Sequence, residues 1–134
     1  MNLDLAKKTA EKIEKYAEDM GLNIVIAVCN SEGNPILSHV MDGAFLVSYE
    51  LASSKAFSAV ALNMATDEIN QLAQPGGALY GIDRVNSKPI TIVGGGVPIK
   101  ADGKTVGGLG ISGGTAEEDV ELANYGLKVL EELL

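Results

Sequence analysis

One histidine supplies all the imidazole chemistry available to this chain. His39 is the only histidine among the 134 residues, and Met41 and Asp42 follow it closely. Histidine and methionine side chains are typical axial ligands of haem iron, so these residues could hold such a group. A lone histidine on a strand is also commonly a hydrogen-bonded structural residue, and both interpretations stay open. Sites built from several histidines are excluded.

Lys55 is an isolated cation in a long apolar segment. A buried ammonium needs a carboxylate partner, for which Glu50 and Asp42 are candidates, or an anionic ligand. Alternatively, its aliphatic stem lies along apolar surface and its charge reaches solvent. Cys29 ends an apolar stretch and is expected in the core, because no histidine–aspartate arrangement that would activate it as a nucleophile is visible.

Glycines before the last predicted helix could form an anion site. Gly113, Gly114 and Thr115 come directly before this helix, whose N-terminus presents backbone N–H groups and a positive dipole. The same residues could instead provide close packing and a sharp turn, with Thr115 as the helix cap. The acidic residues at 117–119 favour the second interpretation because they would repel an anion.

A second glycine run lies upstream. Gly94, Gly95 and Gly96 interrupt a predicted strand, and Pro98 follows shortly after. Such a run could form a bulge, or it could let a flat ligand approach the backbone closely. About half of the 16 glycines lie between positions 94 and 114, which places a proposed pocket around the last hairpin.

Hydrophobic periodicity predicts the elements that must position these residues. The predicted order is a helix over 3–20, strands over 23–29 and 35–41, a helix over 44–65, a short helix ending at Leu72, strands over 90–93, 97–100 and 105–112, and a helix over 115–134. Two hairpins, with turns at 30–34 and 102–103, supply most of the pairing. We therefore expect an α/β fold with a mainly antiparallel sheet of about five strands and helices able to cover both faces.

The helix predicted over 44–65 carries few charges. A helix with a largely uncharged circumference is buried on more than one side. Packing between the sheet and a second subunit would bury this helix, so self-association is expected.

Composition excludes several classes of protein. The net charge of −8 and the pI of about 4.5 argue against binding nucleic acid or an anionic membrane surface. One cysteine excludes an internal disulfide and zinc sites made of several thiolates. No apolar run approaches the roughly 18 residues of a membrane span, and the first residues lack the pattern of a signal peptide. We expect a cytoplasmic protein with one domain over 1–134.

Several stretches, in their order and spacing, resemble the haem-binding DUF336-type family, which includes GlcG proteins, HbpS proteins and the C-terminal domain of PduO. The matching stretches are 26–28 with Gly33, 41–44, 54–56, 95–99 and 107–119, and residues 74–82 resemble the PduO branch most closely. The resemblance covers about residues 3–130. Two departures stand out: Val40 replaces an arginine that is frequent in the family, and Asn30 replaces a frequent aspartate.

The resemblance implies an α/β/α sandwich around a five-stranded, mainly antiparallel sheet, profilin-like in topology. It also implies homo-oligomers, as dimers, tetramers or octamers, and an association with haem, with corrinoid or diol metabolism, or with microcompartment operons. Together with the glycine pattern it indicates these ligand-binding residues: Met41, Asp42, Lys55, Gly95, Gly96, Pro98, Gly113, Gly114, Thr115 and Asp119. His39 is the candidate axial ligand of haem iron, with Met41, Tyr80 and Lys55 as alternatives.

The leading hypothesis is therefore an oligomeric protein that binds haem or a related tetrapyrrole near a subunit boundary. One alternative is an enzyme acting on a small hydroxy acid, an aldehyde or a cofactor fragment, with Lys55 and Asp42 as polar groups in an apolar pocket. The other alternative is a scaffold or accessory subunit of a partner enzyme, because the helix over 44–65 is too apolar to face water broadly.

Overall fold

The computed structural model describes residues 1–85 and 87–134. Within them, the elements in chain order are α1 (Leu3–Asp19), β1 (Val25–Asn30), β2 (Pro35–Val40), α2 (Leu46–Leu62), α3 (Thr66–Leu72), a 3₁₀ turn (Ile82–Arg84), β3 (Gly96–Ala101), β4 (Lys104–Ser112) and α4 (Ala116–Leu133). No helix in this part of the chain has the length and apolar character needed to cross a membrane.

The strands form one antiparallel sheet in the order β2-β1-β4-β3. Both predicted hairpins are present, and β1 lies between β2 and β4. Val25, at the start of β1, is opposite Val40 of β2 and Ser112 of β4. The prediction of an α/β fold with an antiparallel sheet is thus confirmed, and β2 is left at an edge.

The prediction of five strands is wrong, because the described sheet has four. The segment predicted as a strand over 90–93 instead hydrogen-bonds to α2. Ser54 Oγ donates to the carbonyl of Pro89 at 3.0 Å, and Thr91 N–H donates to Ser58 Oγ at 2.7 Å. These serine hydroxyls satisfy backbone groups that strand pairing would otherwise satisfy.

Alternate residues of β1 pack against different helices. Ile26 and Val28 belong to the cluster that contains residues of α1 and α4, whereas Ala27 and Cys29 pack with Ala52 of α2. Since successive side chains of a strand point to opposite faces, α2 covers one face of the sheet and α1 with α4 covers the other.

Glycines in β4 allow α2 to lie very close to the sheet. A Cβ atom on Gly110 would lie 2.0 Å from the carbonyl oxygen of Ala52, and one on Gly108 would lie 2.4 Å from that of Ala56. The alanines on the helix and the glycines on the strand are therefore matched in size. This part of the glycine-rich region holds the helix against the sheet.

Candidate functional site

His39 faces α1 from the edge strand β2. Its Nδ1 is hydrogen-bonded to a carboxylate oxygen of Glu14, and about a third of the imidazole is exposed. A carboxylate at Nδ1 holds the ring proton there, which leaves the lone pair of Nε2 available. Imidazoles that bind metals are commonly oriented in this way. The Glu14 contact therefore fixes the orientation and the tautomer of the His39 ring.

The imidazole lines a surface concavity of about 560 Å³ at the end of β2. Met41 and Asp42 line the same concavity, so the structure brings these three predicted residues together. The other lining residues are Glu14, Glu18, Asn23, Ser38 and Val40. Three carboxylates give this surface a negative potential, which favours a positively charged centre. We refer to it below as the His39 concavity.

Lys55 and Asp119 form a buried ion pair outside the His39 concavity. Lys55 is 1% exposed and Asp119 is 3% exposed. The ammonium donates to Asp119 Oδ2 at 3.0 Å and to the carbonyl of Ile111 at 2.8 Å. Asp119 Oδ1 accepts a hydrogen bond from the N–H of Gly114 at 2.9 Å. The partner of Lys55 is thus neither Glu50 nor Asp42, the two candidates that the sequence offered.

Burial acts on both charges of this pair. It lowers the pKa of Lys55, while the neighbouring carboxylate of Asp119 opposes the change. It also raises the pKa of Asp119, which the charge of Lys55 and the Gly114 hydrogen bond oppose. Each charge therefore depends on the other for its stability inside the protein.

Protein atoms occupy the space beside three of the predicted site glycines. A Cβ on Gly95 would lie 2.6 Å from the carbonyl oxygen of Ile111 and 3.0 Å from Lys55 Nζ. One on Gly96 would lie 2.4 Å from the carbonyl oxygen of Lys55, and one on Gly113 would lie 2.6 Å from that of Asn23. Gly95 and Gly113 also have positive φ angles. These glycines allow close packing around the ion pair.

The model of the family described as "haem degrading protein HbpS-like" matches residues 1–128. The chain belongs to the HbpS-like family. It is 39% identical over 133 residues to an uncharacterised 15.0 kDa protein from the dhaT-dhaS intergenic region of Citrobacter freundii, covering 99% of this chain and 94% of that protein.

Two comparisons connect this HbpS-like chain with PduO. It is 36% identical over 127 residues to the corrinoid adenosyltransferase PduO of Salmonella typhimurium, which covers 95% of this chain but only 38% of that protein. Its fold also matches a solved structure described as a PduOC:heme complex, with a TM-score of 0.86 and 35% identity, covering 95% of this chain and 90% of the other.

The remaining predicted residues of this HbpS-like chain have separate places. Thr115 caps α4 in the predicted capping box with Glu118, since each side chain accepts a hydrogen bond from the other's backbone N–H. Pro98 lies on the edge strand β3 and lines a different hollow with Asn63 and Met64. The residues predicted as one pocket thus occupy three places: the His39 concavity, the ion pair with its glycines, and β3. Their roles in ligand binding stay predictions.

Sequence reasoning missed one feature of this family member and located a second only broadly, through the low charge of the segment 44–65. Glu14 lies in the helix predicted over 3–20, and no local pattern connects it to His39. The second feature is a group of exposed apolar residues, Val40, Phe45, Leu46, Val47 and Tyr49, which we call the apolar patch. Leu46 is 96% exposed and Phe45 is 70% exposed. The run Phe45-Leu46-Val47 was the signal for this patch.

Proposed function

We propose that this chain binds haem or a related tetrapyrrole in the His39 concavity, with Nε2 of His39 as an axial ligand. The observation that carries this proposal is the hydrogen bond between His39 Nδ1 and the Glu14 carboxylate. This contact fixes the ring and makes Nε2 a stronger donor to iron. Bound haem would supply iron-centred ligand-binding and redox chemistry.

The side chains available for coordination favour binding of an iron macrocycle rather than of a bare metal ion. Among the described residues, no three His, Cys, Asp or Glu side chains are grouped closely enough to hold a metal ion. One imidazole, with Met41 beside it in the same concavity, is sufficient only when a macrocycle supplies most of the coordination. The comparisons support the same conclusion through the HbpS-like family and the PduOC:heme complex.

Val40 and Met41 provide the apolar part of the concavity. The face of a tetrapyrrole is larger than these two side chains can cover, so further apolar surface must pack against it. We infer that a second copy of the chain supplies it through the apolar patch, which begins at Val40. Exposed apolar surface of this kind is typical of an interface. Dimers that assemble into tetramers or octamers would bury the patch and close the concavity.

We also propose the three-layer, profilin-like sandwich that the resemblance implied. Its support is the packing of α2 on one face of the sheet and of α1 with α4 on the other. This arrangement leaves β2 and the first turn of α2 at the rim of the molecule, where a second copy can reach them.

The alternative of an enzyme that uses Lys55 and Asp42 gains no support from the geometry. Lys55 is held by Asp119 and Ile111 inside the protein, whereas Asp42 lies in the His39 concavity. The similarity to PduO makes a corrinoid the second tetrapyrrole to test, in a role accessory to corrinoid metabolism.

A haemin titration tests the proposal. We expect a saturable shift of the Soret band at micromolar haemin, and weaker binding of iron-free protoporphyrin IX because it has no metal for His39 to bind. Absence of a saturable shift, or equal affinity for the two porphyrins, would contradict the proposal. The mass in solution is measured in parallel, and a clean 13.9 kDa monomer with bound haem would contradict the role of a second copy.

A further inference from the structure

A second cavity lies between the β1–β2 hairpin and α2. It is on the face of the sheet that carries α2, whereas His39 faces α1. Its volume is about 180 Å³. An apolar cavity of about 150 Å³ holds a benzene molecule, so this one accepts a single ring or a short branched chain. We call it the α2–β2 cavity.

The lining of the α2–β2 cavity is mostly apolar. Its apolar side chains and aliphatic surfaces come from Ala27, Cys29, Pro35, Ala56, Phe57 and Pro89, and Val28 and Leu37, whose side chains pack on the other face, also border it. The thiol of Cys29 is buried and behaves as a small apolar group. Such a lining favours an apolar ligand body, with a few polar groups at the rim to orient it.

Lys88 is the charge that the structure fixes at this cavity. Its ammonium donates to the carbonyl oxygen of Gly33 at 3.2 Å and lies 4.3 Å from the centroid of the Phe57 ring. An ammonium has three N–H donors, so two remain for a ligand. Lys88 forms no salt bridge with a carboxylate of the described residues.

The charge of Lys88 acts on the Cys29 thiol in the wall of the cavity. Burial raises the pKa of the Cys29 thiol, and the charge of Lys88 is among the effects that oppose this rise. Glu50 also lines the cavity, but it is exposed and no hydrogen bond from the described residues holds its carboxylate. Lys88 is exposed as well, but its contacts with Gly33 and Phe57 hold its ammonium at the cavity, whereas Glu50 can turn toward solvent.

We propose that the α2–β2 cavity binds a small monocarboxylate whose apolar part is a single ring or a short branched chain, with Lys88 pairing with the carboxylate. The apolar body fills the space between Ala27, Ala56 and Phe57. This site is additional to the proposed tetrapyrrole site, because its volume is too small for a macrocycle and it lies on the other face of the sheet.

Benzoate and benzyl alcohol are suitable probes, since they share a ring and differ in charge. We expect ligand-observed NMR titrations of the full chain to give saturable benzoate binding, at least about threefold tighter than that of benzyl alcohol. Lys88→Gln should abolish this preference and leave benzyl alcohol binding unchanged. Lys104→Gln, which removes an exposed lysine on β4, is the matched control and should change neither affinity.

Ser53→Leu tests the location, because Ser53 lines the cavity from the surface of α2. The larger side chain should block both probes and leave the haemin titration unchanged, so this site and the proposed tetrapyrrole site fail independently. The proposal is overturned by any of three results: no saturable benzoate binding up to about 10 mM, a benzoate preference that survives Lys88→Gln, or benzoate binding that survives Ser53→Leu.

Discussion

The ammonium of Lys55 lies 3.0 Å from a carboxylate oxygen of Asp119, and both side chains are almost completely buried. This contact connects α2 to the first turns of α4. The carbonyl of Ile111 and the N–H of Gly114 complete the hydrogen bonds of the pair at the end of β4. The charge of Lys55, the isolated cation of the apolar helix, is thus satisfied by groups of the protein itself.

Breaking the ion pair between Lys55 and Asp119 should lower the free energy of unfolding. Lys55→Met leaves the Asp119 carboxylate buried without a counter-charge, so we expect a loss of about 3–5 kcal/mol in the free energy of unfolding, measured with urea. The double variant Lys55→Met/Asp119→Leu should recover most of this loss, because it leaves no unpaired charge. Lys104→Met is the control and should stay within about 0.5 kcal/mol of wild type. A loss below about 1 kcal/mol for Lys55→Met would contradict this account.

Close contact between α2 and β4 makes Gly110 irreplaceable. A Cβ there would lie 2.0 Å from the carbonyl oxygen of Ala52, so Gly110→Ala should displace the helix and cost more than about 2 kcal/mol. Gly76→Ala is the comparison, since a Cβ on Gly76 meets no atom within 4 Å and only its positive φ is strained. Equal losses of stability for the two variants would show that the close approach is unimportant.

Because the Cys29 thiol is buried, we expect the free energy of unfolding to change at alkaline pH. Burial raises its pKa in the folded protein above the ordinary value of 9.0. The stability associated with this shift is fully present below pH 9.0 and is lost as the pH rises through the folded pKa. The free energy of unfolding of wild type, relative to Cys29→Ala, should therefore fall between neutral pH and about pH 11. A constant difference would contradict the raised pKa.

Glu14 should act on haem binding through His39. Glu14→Ala removes the group that orients the imidazole, so we expect haemin affinity to fall about 10- to 100-fold. Glu14→Gln should restore part of the affinity, because its amide oxygen can still accept the Nδ1 proton. Glu18→Ala removes a carboxylate from the same concavity and serves as the control. If both alanine variants weaken haemin equally, the effect is one of general charge and the positioning role is wrong.

Local patterns in the sequence predicted most of the fold. The capping box at Thr115, the two hairpin turns and the helices depend on residues close together in the chain, and each is present. The prediction of a strand over 90–93 failed because Thr91 N–H bonds to Ser58 of α2, and the carbonyl of the preceding Pro89 accepts from Ser54 of the same helix. No pattern within the segment itself reveals such long-range partners.

The candidate site was harder to predict for the same reason. Burial of Lys55 correctly demanded a partner, but the partner lies 64 positions along the chain at Asp119. Likewise, Glu14 meets His39 only after α1 packs against β2. The glycine run was predicted to line a pocket, and the close contacts of Gly95 and Gly96 with protein atoms around Lys55 depend on distant segments that no local pattern reveals.

The visible spectrum of haemin bound to His39→Ala tests the central claim most directly. If His39 is an axial ligand, the variant should show a displaced Soret band and affinity at least about tenfold weaker than wild type. Added imidazole should restore the wild-type spectrum by replacing the missing ligand. A His39→Ala complex with the same spectrum and the same affinity as wild type would contradict the assignment of His39 to the haem iron.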